Sequence, residues 1–186
     1  MEQGNIFSAN NQYEKAISTY DKSLQFKPDY HKAWNNRGVA LGNLGRYEEA
    51  IRAYDRALAI NSDYNEAWQN RGIALANLGK NEKAIISYDR ALAIKPDDHK
   101  VLNNRGNALS KLGRYEEAII SYDTALNIKS DRYQVWSRIS DTDKYQMWRN
   151  RGNALVNLGR YKEAIAAYDQ ALQFKPDKHG TTEAMH

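Results

Sequence analysis

The chain has 186 residues, enough for one ordinary globular domain or one short repeat array. It contains no cysteine, which excludes disulfide staples, thiolate zinc sites and a cysteine nucleophile. With 27 Lys+Arg against 23 Asp+Glu the net charge is only +4, far from the lopsided load of a dedicated nucleic-acid binder, and no apolar run approaches the roughly 18 residues of a membrane helix. The first residues show no basic stretch leading into an apolar one, so a cytoplasmic location is expected.

Taken from the amino end, residues 1–30 read as a shortened unit in which Gly4, Tyr13, Ala16, Tyr20 and Pro28 stand in register with the later units. Full units then occupy 31–64, 65–98, 99–132 and 145–178. The string Asn36-Arg37-Gly38 returns as Asn70-Arg71-Gly72, Asn104-Arg105-Gly106 and Asn150-Arg151-Gly152, at intervals of 34, 34 and 46 residues. In the first full unit Trp34, Gly38, Leu41 and Leu44 mark one helical stripe, and Tyr47, Ala50, Ile51, Tyr54, Ala57 and Leu58 mark a second. Gly45 suits a left-handed end to the first helix, and Pro28, Pro96 and Pro176 close their units in a Lys-Pro-Asp turn. No strand-like alternation of useful length occurs, so the chain is expected to be all-α.

Trp34, Gly38, Leu41, Ala50, Tyr54 and Ala57, with a unit-ending proline, resemble the tetratricopeptide repeat, and Leu-Gly-Arg-Tyr-Glu-Glu-Ala-Ile at 44–51 and 112–119 resembles its bacterial branch. The resemblance implies a right-handed α-solenoid, a superhelix of antiparallel helix-turn-helix repeats whose first helices line a concave face. It also implies a non-catalytic scaffold that holds peptide segments of other proteins, with no cofactor.

At 100° per residue, positions 4, 8 and 11 of a unit cluster in one direction and positions 2, 6, 9 and 13 almost opposite. The second stripe carries Lys32, Asn36, Val39 and Asn43; Glu66, Asn70, Ile73 and Asn77; Lys100, Asn104, Asn107 and Lys111; and Gln146, Asn150, Asn153 and Asn157. Asparagine holds position 6 throughout, although it costs about 0.5 kcal/mol against Ala in a helix interior. A short amide donates and accepts at once, which suits the backbone of an extended peptide, and related superhelices use an asparagine ladder that way. The alternative is that these amides are solvated or bond a neighbouring helix. A clamp for a charged carboxyl terminus, which the resemblance also offers, is not expected: Asn5 and Asn36 fit it, but Met1, Glu66 and Asn70 stand where basic residues are wanted.

Arg37, Arg71, Arg105 and Arg151, with Asp55, Asp89, Asp123 and Asp169, read as structural ion pairs or solvated stems rather than phosphate ligands. Glu48-Glu49 and Glu116-Glu117 suit the amino ends of helices and point too far apart for paired acid–base work. The four histidines are too scattered to ligate one metal, and no phosphate-loop or nucleophile-elbow spacing occurs. A protein or peptide partner is therefore expected, and no nucleic acid, membrane, metal or enzymatic activity.

A twelve-residue insertion falls at about 133–144, where Asp-Arg-Tyr-Gln-Val-Trp at 131–136 is echoed by Asp-Lys-Tyr-Gln-Met-Trp at 143–148. Ser140-Asp141-Thr142-Asp143 is a helix-starting run. The pattern predicts a short helix at about 132–139, a turn, and an ordinary first helix from about 143. Tyr133 and Trp136 would then be available to a partner, or covered by their neighbours. Residues 179–186 form a tail, leaving Ile165, Tyr168 and Leu172 of the last second helix without cover. That bareness suggests a fragment of a longer array, or copies stacked end to end as a homo-oligomer.

Overall fold

The computed structural model describes residues 1–128 and 139–175. Among these the chain is all-α: α1 (Glu2–Ala9), α2 (Tyr13–Phe26), α3 (His31–Asn43), α4 (Tyr47–Ile60), α5 (Asn65–Asn77), α6 (Asn81–Ile94), α7 (His99–Lys111), α8 (Tyr115–Leu126), α9 (Asp141–Asn157) and α10 (Tyr161–Leu172). Each odd helix pairs with the even helix after it, and each even helix packs on the next odd one, which produces a right-handed α-solenoid. The odd helices also touch one another, α3 with α5, α5 with α7 and α7 with α9, so they form the inner wall.

The turn inside each hairpin follows from local chemistry. Gly45 adopts φ +75°, a left-handed conformation that costs an L side chain about 1 kcal/mol. Its N–H donates to the Gly42 carbonyl and that of Arg46 to the Leu41 carbonyl, both at 3.0 Å, so carbonyls that the ending helix leaves free are satisfied. Asn11 takes the same role in the first hairpin at φ 57°. The even helices lack a Ser or Asp cap. Instead Arg46 forks onto Glu49 at 2.7 and 2.8 Å, as Arg114 does onto Glu117 and Arg160 onto Glu163, and the fork holds the Glu49 carboxyl below its ordinary range.

Close hairpin packing depends on position 8. A Cβ on Gly38 would lie 2.5 Å from the Tyr54 ring, and Gly72, Gly106 and Gly152 face Tyr88, Tyr122 and Tyr168 in the same way. Stacking between units repeats as regularly. Arg37 pairs with Asp21 at 2.6 Å, Arg71 with Asp55 at 2.7 Å, Arg105 with Asp89 at 2.6 Å and Arg151 with Asp123 at 2.5 Å. The last pair spans the insertion, so the extra residues leave the stacking register intact.

The predicted short helix at about 132–139, with Tyr133 and Trp136, falls mostly on residues outside the described ones, where only Ile139 is seen, buried against Leu102, Leu126 and Met147. The next helix starts at Asp141, slightly earlier than the expected 143, because Ser140 caps it. Its hydroxyl accepts from the Asp143 N–H at 3.1 Å and donates to the Asp143 carboxylate at 2.8 Å.

Candidate concave groove

The odd helices present positions 2, 6, 9 and 13 along the inner wall. Lys32, Lys100 and Lys111 are exposed, and none of the three forms an ion pair among the described residues. Asn43 and Asn157 are exposed too, but each donates its Nδ2 back to its own helix, to the Val39 carbonyl at 3.0 Å and the Asn153 carbonyl at 2.8 Å. Asn77 is exposed and makes no side-chain hydrogen bond among the described residues.

The position-6 asparagines are half-buried, because the neighbouring odd helix is closer than the one-helix projection implies. Asn36 donates to Asn5 Oδ1 at 3.0 Å, and Asn70 to Asn35 Oδ1 at 3.1 Å. Asn150 donates to Asn103 Oδ1 at 3.2 Å and to Asn107 Oδ1 at 3.0 Å. Asn104 makes no side-chain hydrogen bond among the described residues, since the longer Gln69 and the apolar Ile73 replace the asparagines it would meet.

A second tier comes from the even helices. The hydroxyls of Tyr20, Tyr122 and Tyr168 donate at 2.8 Å to Oδ1 of Asn5, Asn107 and Asn153. Those oxygens are thus occupied from within, while the Nδ2 groups of Asn107 and Asn153 and the Oδ1 atoms of Asn70 and Asn150 have no partner among the described residues. The wall therefore offers both donors and acceptors. Burial pushes the Tyr122 phenol up to about 12, against a smaller opposing effect of its Ser110 contact, so it stays protonated as a donor at neutral pH. Between α7, α8 and α9 the wall opens into a polar cleft of about 530 Å³ that includes Asn107, Lys111, Gln146, Arg149, Asn150, Asn153 and Asn157.

The family model for the tetratricopeptide repeat matches residues 31–64, 99–131 and 145–178, and a second one, the TPR repeat, matches 4–45 and 74–113. The chain belongs to the tetratricopeptide-repeat (TPR) family. No curated protein sequence matches this chain. Among solved structures it resembles MamA (TM-score 0.82, 20% identity, covering 94% of this chain and 95% of that one). It also resembles MamA from Desulfovibrio magneticus RS-1 (TM-score 0.76, 16% identity, covering 94% and 96%). A third is YrrB, described as a TPR protein with an unusual peptide-binding site (TM-score 0.75, 20% identity, covering 94% and 84%).

Helical projection of single TPR units overlooked Asn35 and Asn103 at position 5 and the tyrosine hydroxyls as parts of this wall. The signal was present as a co-occurrence: Asn5, Asn107 and Asn153 stand at position 9, each fifteen residues before a tyrosine that bonds it. At the carboxyl end Ile165 and Leu172 are 61% and 60% exposed, whereas Tyr168 is half-buried on Gly152 and bonded to Asn153. Tyr161, at 64%, is the larger exposed ring on that face. Among the described residues no cluster of His, Asp and Glu is arranged to hold a metal, and no helix is long and apolar enough to cross a membrane.

Proposed function

We propose that this protein is a non-enzymatic interaction scaffold that holds an extended segment of a partner protein in its concave groove. The contacts would come chiefly from Asn36, Asn70, Asn104 and Asn150, with Asn107, Asn153, Lys100 and Lys111 beside them. One observation carries the reading: on the inner wall Asn70 and Asn150 keep acceptors and Asn107 and Asn153 keep donors, the two kinds of group that the N–H and C=O of a peptide backbone require. TPR membership supports an interaction role, and YrrB is a structural neighbour whose description names a peptide-binding site. Capture of partners on the intact chain, followed by mapping of the bound segment, supplies the ligand. Replacing all four position-6 asparagines by Ala is then expected to weaken that segment at least roughly tenfold, with helicity equal or higher. Unchanged affinity overturns the reading.

End-to-end self-association is a second reading, favoured by the bare face of Tyr161, Ile165 and Leu172. In that geometry Gln3 and Ile6 of a following copy would occupy the places where α3 presents Arg37 and Ala40 to α2, so Asp169 would receive no arginine. Light scattering at high concentration tests it: a mass above one chain that Ile165→Lys returns to one chain supports stacking, and a single-chain mass throughout rejects it.

A further inference from the structure

The cleft between α5, α6 and α7 differs from its counterparts in a way that the asparagine ladder does not explain. It has a volume of about 340 Å³, with walls from Ile73, Ala76 and Ala108. The equivalent cleft between α7, α8 and α9 is lined by Tyr115, the first residue of α8, and α4 likewise begins with Tyr47. Here α6 begins with Asn81, so a phenol ring is missing from the slot.

Three groups around this slot have unused hydrogen-bonding capacity. Asn81 is buried; its Nδ2 donates to the Gly79 carbonyl at 3.3 Å, and its Oδ1, sealed from solvent, has no partner among the described residues. The Tyr88 hydroxyl has no partner among the described residues, because Ile73 stands where Asn107 and Asn153 receive Tyr122 and Tyr168. Asn104 lines the same slot, and its amide has no hydrogen-bond partner among the described residues. A slot with Ile73, Ala76 and Ala108 in its walls and unspent donors and acceptors at its side is the form of a specificity pocket.

We propose that this slot is the selective subsite of the groove and takes a tyrosine side chain of the bound segment; this rests on reading the concave face as a peptide site. The ligand ring replaces the one that Asn81 lacks, and its hydroxyl both donates and accepts between Tyr88 and Asn104. Phenylalanine would leave those groups unpaired, and a lysine would meet Lys111, which also lines the slot.

The test uses acetyl-Ala-Ala-Xaa-Ala-Ala-amide peptides with Xaa as Tyr, Phe, Leu, Glu or Ala, titrated into the isotope-labelled full chain and followed by NMR. The tyrosine peptide is expected to shift the side-chain amides of Asn81 and Asn104, to bind roughly tenfold tighter than the alanine peptide and several-fold tighter than the phenylalanine peptide. Asn81→Tyr, which restores the residue type of the neighbouring units, should abolish the preference for tyrosine. Tyr88→Phe should remove the discrimination between tyrosine and phenylalanine. Equal affinity for all peptides in the unaltered chain, or a tyrosine preference that survives Asn81→Tyr, overturns the pocket. Shifts at Asn70 and Asn150 that ignore the identity of Xaa leave the groove standing and overturn the pocket alone. No asparagine shift with any peptide overturns both.

Discussion

At the scale of single residues, the hairpins are held by a glycine under a tyrosine ring. A Cβ on Gly72 would fall on the ring of Tyr88 well inside contact distance, and that ring is buried with little freedom to retreat. Gly72→Ala gains helix propensity of about 1 kcal/mol, yet overpacking costs about 1–3 kcal/mol and outweighs it. A net loss of stability is expected in urea unfolding, with the midpoint lowered. The same rings set the response to alkali. Burial raises the Tyr122 phenol to about 12, whereas in the unfolded chain it ionises near its ordinary 10. Below about 10 both states hold the proton and nothing is lost; from about 10 to 12 only the unfolded chain releases it, so stability must fall as pH rises through that window. Circular dichroism across pH 9 to 12.5 should show the decline begin near 10, and Tyr122→Phe should reduce its slope.

At the scale of elements, α9 shows how one cap changes the neighbourhood. Trp34 and Trp68 donate their indole N–H groups at 2.8 Å to the Pro28 and Ser62 carbonyls, each in the turn before its helix. Trp148 stands at the corresponding place, but the residue six before it, Thr142, lies inside α9, and its carbonyl is committed to the helix. The Trp148 indole N–H is therefore buried with no partner among the described residues. Trp148→Phe should be tolerated better than Trp34→Phe or Trp68→Phe, by about 1 kcal/mol in denaturant titrations. Ser140→Ala should cost about 1 kcal/mol, because Ser140 is the side chain that caps the Asp143 N–H. An unchanged unfolding midpoint would contradict that role.

For the whole molecule, stability is distributed as in a stack whose units contact only their neighbours. The α6 residues Ala84, Ile85, Tyr88 and Ala91 are sealed by α5 and α7, while among the described helices α10 packs chiefly on α9 and leaves Tyr161, Ile165 and Leu172 exposed. Hydrogen exchange should find amides of α10 opening faster than those of α6, and equal protection would refute this nearest-neighbour account. The repeated arginine–aspartate pairs, partly exposed, contribute at most about 1 kcal/mol each.

The helix pairs, their turns and their order could be read directly from the chain, because glycine, tyrosine and alanine recur at a spacing that only stacked helical hairpins use, and each such signal is local. The inner wall was legible as a stripe of amides but not as a network. Which amide meets which depends on how far one odd helix stands from the next, and no projection of a single helix contains that distance. Asn36, Asn70 and Asn150 are thus tied to the preceding unit, while Asn104 is left free by two apolar or longer neighbours that a single-unit reading does not bring together. Asn81 departs visibly from the tyrosine of its sister units, yet that it opens a slot beside Tyr88 and Asn104 was decided only when three helices closed around it, since a cavity is a property of packing between elements that are distant along the chain.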